Sequence, residues 1–244
     1  MTTLRADASS LLDDRGYTGP LVRGLNPAML FEKAVRDRIT ESYYWKEQCF
    51  GLNAATLCDR AIHLSFIGGT YGVSEKASPF LCLAFKLLQI SPDRDIIMEY
   101  LNFSEPELEN EDGETTAEER AQESIVKHRG DFKYLRALAA FYVRLTWEPV
   151  EIYKTLEPLL LDYRKLKRRV RDSFVLTYMD QFVDDLLTKD RICGTSLWKL
   201  PTRQQLEDLD LLDVRESPLE GELEEMDRSG SESGRASEAP SDDD

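Results

Sequence analysis

The residues of this 244-residue chain that are best suited to catalysis are its two histidines, His63 and His128. A histidine works as the general base of a triad only beside a nucleophile and a carboxylate, and the chain contains no G-x-S-x-G nucleophile motif. The glycine-rich segment 66–72 matches neither a dinucleotide-binding motif nor a P-loop, which requires Gly-Lys-Ser/Thr. We therefore predict no enzymatic activity. For the glycine-rich segment we predict a tight turn between helices, with a binding loop as the alternative.

The cysteines show none of the spacings that a metal site or a redox pair requires. Three of them lie among apolar residues of predicted helices, where a free thiol packs as a small hydrophobic side chain. We expect reduced, structural cysteines in a cytosolic or nuclear protein, without a metal ion or other cofactor; zinc binding is the alternative. The four residues are Cys49, Cys58, Cys82 and Cys193.

The densest positive charge is a run of six cations within residues 164–171. One interpretation is a solvated helix end and turn, where cations also interact well with the helix dipole. The other is a contact with RNA phosphates or with an acidic partner segment. No aromatic platform of the RNA-recognition type accompanies the run, so sequence-specific reading of RNA is not predicted. The candidate contact residues are Arg164, Lys165, Lys167, Arg168, Arg169 and Arg171.

Aromatic side chains are the second group of candidate contact residues. Three consecutive aromatic residues, 43–45, lie in a predicted short helix, and at helical spacing they cannot all face one core. Core packing and an interface are both open for this group, because exposed Tyr and Trp are typical anchors of protein interfaces. The candidate partner-binding residues are Tyr43, Trp45, Tyr71, Phe132 and Tyr134.

The net charge of −15 is concentrated at one end of the chain, since Gln204 to Asp244 contain 15 acidic and only 3 basic residues. A second acidic stretch, 104–129, holds nine acidic residues and predicts an exposed insertion. We predict a flexible arm over 1–25, a helical domain over 26–213 that contains this insertion, and a disordered acidic tail over 214–244. No apolar run approaches the ~20 residues that cross a bilayer, and no secretory signal is found, so no membrane association is expected.

Helix-start signals and apolar runs predict an all-α fold: a single globular domain of roughly eight to nine helices. Asn or Ser followed by Pro gives three of the starts, and Asn53 gives another. Two segments, 80–88 and 132–145, are apolar almost all round, so we expect two buried central helices. The only β-like signal predicts a small hairpin near 166–178. The Asn/Ser-Pro starts are Asn26-Pro27, Ser78-Pro79 and Ser91-Pro92.

Six uncommon strings occur in the order found in one known family, and the resemblance covers about residues 24–200. In these strings the chain resembles the pre-mRNA-splicing factor 38 family. Its short acidic tail lacks the Arg-Ser repeats of animal members and resembles that of a fungal-type member. The strings are Y-W-K-E-Q-C-F-G-L from Tyr44, F-I-G-G-T-Y-G from Phe66, S-P-F-L-C-L from Ser78, D-F-K-Y-L-R from Asp131, and L-E-P-L from Leu156 with D-Y-R-K from Asp162.

The resemblance implies an all-helical domain with a small hairpin and no known enzymatic activity. It implies a nuclear protein that joins the precatalytic spliceosome with the U4/U6.U5 tri-snRNP and is required for spliceosome activation. It also implies two partners, a zinc-finger splicing protein of the Snu23 type and a helical segment of a microfibrillar-associated-protein homologue. The leading hypothesis is thus a protein–protein interaction scaffold. The alternative is direct binding of U4/U6 snRNA or pre-mRNA through residues 164–171.

Overall fold

A computed structural model describes residue 17 and residues 19–103 and 132–215 of the chain. In these residues short 3-10 helices cover Pro27–Leu30 and Glu157–Leu161. The α-helices are α1 (Lys33–Glu41), α2 (Tyr43–Gln48), α3 (Ala54–Ile62), α4 (Pro79–Ile90), α5 (Arg94–Asn102), α6 (Lys133–Thr146), α7 (Pro149–Leu156), α8 (Met179–Thr188) and α9 (Arg203–Glu207). The strands are β1 (Ile67–Gly68), β2 (Thr70–Tyr71), β3 (Lys76–Ala77), β4 (Lys165–Arg169), β5 (Phe174–Tyr178), β6 (Arg191–Ile192) and β7 (Thr195–Ser196).

Helices α4 and α6 form the centre of the core, as their all-round apolar sequences predict. Nearly every side chain of α4 from Phe80 to Leu88 is buried, and so are the side chains of α6 from Ala137 to Leu145. Burial of one large aliphatic or aromatic side chain contributes about 1.5–3 kcal/mol, so these two helices supply much of the stabilising free energy. The other helices of the core surround them with one apolar face each.

A group of phenylalanines joins the central helices to the elements around them. Phe141 of α6 lies 5.8 Å from Phe80 of α4 and 6.2 Å from Phe31, measured between ring centroids. Phe31 also stacks on Phe85, and Phe80 meets Phe182 of α8 edge to face. Phe31 lies before α1 and Phe182 belongs to α8, so the group joins early and late elements of the chain in one core.

Most of the predicted helix starts are confirmed by side-chain caps. The side chain of Asn26 accepts a hydrogen bond from Ala28 N, that of Asn53 from Thr56 N, and Ser78 Oγ from Leu81 N. The prediction at Ser91-Pro92 is wrong, because Ser91 instead ends α4 in a left-handed conformation. The next helix begins two residues after the proline, with Asp93 as its N-cap.

Small sheets accompany the helices, so the prediction of an all-α fold holds only for the bulk of the described chain. The predicted hairpin is confirmed: β4 pairs antiparallel with β5, and β1 adds to the other side of β4 in parallel. Two further pairs, β2 with β3 and β6 with β7, are antiparallel. These short strands carry no period-2 apolar pattern long enough to be read from the sequence.

Residues from Pro201 onward group separately from residues up to Leu200. Within this second unit, Thr202 and Gln205 form a capping box at the start of α9. The helix ends at Glu207, and Arg203 pairs with Glu207 along it. The predicted acidic insertion lies wholly outside the described residues, as does most of the predicted tail, and the domain boundaries stay predictions. In the described part of the chain, no helix combines the length and apolarity needed to span a bilayer.

Candidate functional site

The candidate functional site is the hairpin of β4 and β5, because it carries the predicted basic run. The run is a strand and not the helix end and turn that cation placement suggested, since Lys165–Arg169 pairs along its length with β5. Lys165 lies opposite Tyr178, Lys167 opposite Leu176, and Arg169 opposite Phe174. Directly opposed residues share a face of the sheet, so the three cations of β4 and the three large apolar side chains of β5 lie opposite one another on one face.

Arg164 is held by a buried carboxylate. Its guanidinium donates to both oxygens of Asp162, at 2.7 Å and 2.5 Å, and Arg136 of α6 donates to the same carboxylate at 3.0 Å. Burial by itself would raise the pKa of Asp162, but the hydrogen bonds and charges of Arg164 and Arg136 outweigh it and hold this pKa below the ordinary value. The charge of Arg164 is thus used within the fold, because the carboxylate that it shares with Arg136 links the start of the hairpin to α6.

Arg168 is also paired within the fold. It donates to Asp185 of α8 at 3.2 Å, and Lys189 approaches the other oxygen of that carboxylate at 2.6 Å. Asp185 is buried, so its charge depends on these cations. Neither Asp162 nor Asp185 was identified from the sequence. For Asp162, the signal that was available is its position two residues before the basic run.

The remaining cations of the run lie on the aromatic face of the hairpin. The guanidinium carbon of Arg169 lies 5.0 Å from the ring centroid of Tyr71 and 4.5 Å from that of Phe174. The Lys167 ammonium lies 4.0 Å from the same Phe174 ring. Lys165 and Arg171 are exposed and form no ion pair with any residue that the structure describes. Charge is therefore available to a partner mainly at Lys165, Lys167 and Arg171.

Strand β5 exposes large apolar side chains to solvent. Phe174 is 41% exposed, Val175 48%, Leu176 59% and Tyr178 40%. Neighbouring exposed apolar residues of this size mark interaction sites on soluble proteins. The sequence showed a β-like apolar run here, but it did not show that the run would be left uncovered.

The glycine-rich segment packs against β4 beside the turn of the hairpin, so its interpretation as only a turn between helices is wrong. A Cβ at Gly68 would lie 2.8 Å from the carbonyl oxygen of Arg169, and one at Gly69 would lie 2.2 Å from that of Cys193. Both positions need glycine because another backbone approaches them closely. The segment thereby positions Tyr71 beside Arg169.

The predicted anchors on α2 have different environments. Tyr43 is 77% exposed, as the interface interpretation requires. Trp45 is half-buried against the core, with its ring 5.2 Å from that of Phe85 and Lys86 above it at 5.8 Å. Burial also raises the pKa of their neighbour Tyr44 to about 12. The two anchors therefore point to different sides of the helix.

The other predicted anchors lie close to the hairpin or at the start of α6. The Tyr134 hydroxyl accepts a hydrogen bond from the backbone N–H of Lys167 at 3.2 Å. Phe132 meets Phe103 edge to face, with 4.9 Å between the ring centroids, so the end of α5 and the start of α6 lie side by side. Of the five predicted anchors, Tyr71 and Tyr134 thus contact the hairpin. Tyr43 and Trp45 lie on α2 instead.

The cysteines are free and buried. Burial raises the pKa of Cys58 and Cys82 to about 11 and that of Cys193 to about 12, and it raises that of Cys49 further. Such thiols stay protonated near neutral pH and are poor nucleophiles. No group of three or more metal-ligating residues is assembled in the described ranges. His63 is exposed at the end of α3, and His128 lies outside the described residues.

Comparison with known proteins gives one consistent result. Residues 21–210 match the model of the PRP38 family. The chain is 48% identical over 206 residues to pre-mRNA-splicing factor 38 of Schizosaccharomyces pombe, and the match covers 84% of this chain and 85% of that protein. It is 46% identical to pre-mRNA-splicing factor 38A of Danio rerio, where the match covers 85% of this chain but only 58% of the relative.

A solved structure agrees with these matches. The chain is similar, with a TM-score of 0.69 and 53% identity, to a chain in the crystal structure of the Snu23-Prp38-MFAP1(217-258) complex of Chaetomium thermophilum. The similarity covers 87% of this chain and 100% of that chain. With a family model that spans most of its length and relatives of this identity, the chain belongs to the PRP38 family of splicing factors.

Proposed function

We propose that this protein is a non-catalytic scaffold of the precatalytic spliceosome, that it acts in the nucleus, and that it is required for spliceosome activation. The observation that carries the proposal is the similarity, at 53% identity, to a chain solved in a three-protein splicing complex. The use of the apolar residues supports it. They build a helical body around α4 and α6, whereas Tyr43, the exposed cations of the basic run and the apolar side chains of β5 are left on its exterior.

The proposed partners are a zinc-finger protein of the Snu23 type and a homologue of MFAP1, by analogy with the similar complex. Two exposed regions offer surfaces to such partners. One is α2 with the largely exposed Tyr43, and the other is the β4–β5 hairpin with its exposed cations and apolar side chains. Aromatic anchors and exposed apolar patches are the usual centres of protein interfaces.

The proposal is tested by binding and by splicing. We expect the full chain to form a stable ternary complex with both partner proteins in size-exclusion chromatography. We also expect nuclear extract depleted of the protein to assemble spliceosomes that keep U4 and U6 snRNAs paired. Adding back the full chain should restore separation of the two RNAs. A depleted extract that splices at the normal rate would contradict the proposal.

RNA binding through the basic run remains the second candidate function. The exposed cations Lys165, Lys167 and Arg171 favour it, whereas Arg164 and Arg168 are already paired with carboxylates. RNA binding through phosphates predicts an affinity that falls steeply with salt. A gel-shift titration with U4/U6 duplex that shows no complex below micromolar protein would exclude it as a primary function.

A further inference from the structure

Among the residues that the structure describes, no strand pairs with one edge of β5. The sheet order is β1-β4-β5, so β5 lies at the end of the sheet. In antiparallel pairs, residues alternate between those that exchange hydrogen bonds with the neighbour and those whose N–H and C=O point away from it. The hydrogen bonds from Met179 N to Arg164 O and from Val170 N to Ser173 O show which residues of β5 bond to β4 and which point away from it.

It follows that Val175 and Thr177 bond to β4, whereas the backbone groups of Phe174 and Leu176 and the N–H of Tyr178 point to the free edge. The Tyr178 C=O is used by α8, because Tyr178 is the N-cap of that helix. In the described part of the chain, no hydrogen bond to the other outward groups is found. The bond from Lys167 N to the Tyr134 hydroxyl supports the assignment, because Lys167 is opposite Leu176 and its N–H likewise points away from β5. The N–H and C=O groups of Phe174 and Leu176 and the N–H of Tyr178 are therefore available for pairing.

This edge lacks the features by which proteins usually prevent such pairing. Phe174–Tyr178 contains no charged residue and no proline, and four of its five side chains are large, apolar and at least 40% exposed. Natural edge strands are normally protected by lysine, proline or bulges. An unprotected apolar edge is the surface to which extended peptides add as a further strand.

The charge of the hairpin restricts which peptide fits. From Arg164 to Tyr178 the sequence contains six cations and a single acidic residue, Asp172, in a chain whose net charge is −15. Lys165 and Lys167 are exposed on the same face as the outward residues of β5. A glutamate opposite Leu176 has an aliphatic stem that covers the leucine and a carboxylate that extends toward these lysines.

The Phe174 ring of β5 is poorly placed for stacking with RNA bases. The Phe174 ring carries Lys167 at 4.0 Å and Arg169 at 4.5 Å, and Phe66 meets it edge to face at 5.3 Å. Proteins that bind single-stranded RNA without sequence preference use free ring faces as stacking platforms. The free peptide edge and the occupied ring faces together favour a peptide over RNA.

We infer that the free edge of β5 binds an extended, glutamate-rich segment of a partner protein as an added β-strand. This inference deepens the proposed scaffold function and rests on it, because it assigns one partner class to one surface. Backbone pairing with Phe174, Leu176 and Tyr178 supplies the register, and Lys165 and Lys167 supply the preference for acidic side chains.

The first test uses the full chain and a fluorescent probe, an acetylated heptapeptide in which glutamate alternates with valine. We expect binding that weakens with added salt, and protection from hydrogen exchange at the amides of Phe174, Leu176 and Tyr178. Methylating the alternate peptide nitrogens that face β5 should weaken binding about tenfold or more, because each removed hydrogen bond contributes about 1 kcal/mol. Methylating the other set should leave binding within about twofold.

Protein variants give an independent test. Lys165→Glu with Lys167→Glu should weaken the probe about tenfold at low salt, whereas Lys154→Glu, on exposed α7 surface, should change it less than about twofold. Leu176→Pro should abolish binding and retain the hairpin, because the N–H that it removes points outward. Equal losses from both methylation patterns, or unchanged exchange at the three amides, would overturn the inference.

Two further ligands separate this inference from its competitors. Oligouridine that binds more tightly than the probe, and is lost in the Lys165→Glu, Lys167→Glu variant, would overturn it in favour of RNA. A peptide of the chain's own residues 216–227 that binds more tightly than the probe would overturn it in favour of the acidic tail. Binding of the Snu23-type and MFAP1-type partners is measured separately, so failure of the scaffold proposal is recognised on its own.

Discussion

Strand β5 and helix α4 have similarly apolar sequences and opposite environments. Phe80, Leu81 and Leu83 at the start of α4 are fully buried, whereas Phe174 and Leu176 of β5 are 41% and 59% exposed. Helix α4 has neighbours on every side, including α1, α3 and α6, but among the described residues β5 has a partner strand on one edge only. The difference shows that an apolar sequence does not by itself secure burial, because burial also needs neighbouring elements on every side.

The largest expected effect tests the buried half of this comparison. Phe141→Ala removes a ring that contacts Phe31 and Phe80 at the centre of the core. We expect the free energy of unfolding in urea to fall by about 3–5 kcal/mol, because the loss of apolar transfer adds to the cavity left behind. A loss below about 1 kcal/mol would mean that the centre is no better packed than the hairpin.

The second effect tests the ion pairs that hold the basic strand to the body. Asp162→Asn leaves Arg136 and Arg164 near an uncharged group, and we expect a loss of about 3 kcal/mol at pH 7. The pKa of Asp162 is depressed in the folded state, so its stabilisation is present above the unfolded value of about 3.9 and is lost as the pH falls through the folded value. The difference between the variant and the natural chain should therefore shrink in urea titrations near pH 3.

The third effect tests the close contact between the glycine-rich segment and the turn that joins β6 to β7. Gly69→Ala would place its Cβ 2.2 Å from the carbonyl oxygen of Cys193, and the necessary backbone shift should cost about 2–3 kcal/mol. Gly72→Ala is the matched control, because it has a positive φ of 74° but no atom within 4 Å of the added methyl. The free energy of unfolding of the control should fall by only about 1 kcal/mol. Both variants are measured by thermal unfolding.

The smallest effect tests the exposed half of the comparison. Leu176→Ala should change the free energy of unfolding by no more than about 0.5 kcal/mol, because its side chain leaves little buried area behind. Leu166→Ala, in the same hairpin but fully buried, should cost about 2–4 kcal/mol. Equal losses at the two positions would show that β5 is covered within the protein. The contrast between a buried α4 and an exposed β5 would then no longer hold.

Much of the helical body could be predicted from the sequence, because the signals involved are local. Asn26, Asn53 and Ser78 cap helices through bonds to residues two or three positions away. The prediction failed at Ser91-Pro92, where the same local pattern occurs but the serine ends the preceding helix. Cap and proline signals constrain the backbone near them, and the packing of α4 decided which end of a helix this pattern would occupy.

The candidate site was predicted in its residues but not in its geometry. The six cations of the basic run were identified, yet their division into paired and available charges depends on Asp162 and Asp185, and in part on Arg136. Arg136 and Asp185 lie outside the run in the sequence and meet it only in the fold. The aromatic candidates divided in the same way, because Tyr71 and Tyr134 contact the hairpin while Tyr43 and Trp45 lie on α2.

The sequence by itself determined that this chain would build a helical body around two apolar helices, because periodicity and capping act within a few residues. Only the tertiary structure decided that the basic run becomes a strand, that two of its arginines are neutralised by buried carboxylates, and that β5 is left with a free edge. Those outcomes require β1 and α6 to pack beside the hairpin from distant parts of the chain, and α8, which directly follows β5, to bring Asp185 to Arg168. No local sequence pattern encodes that packing.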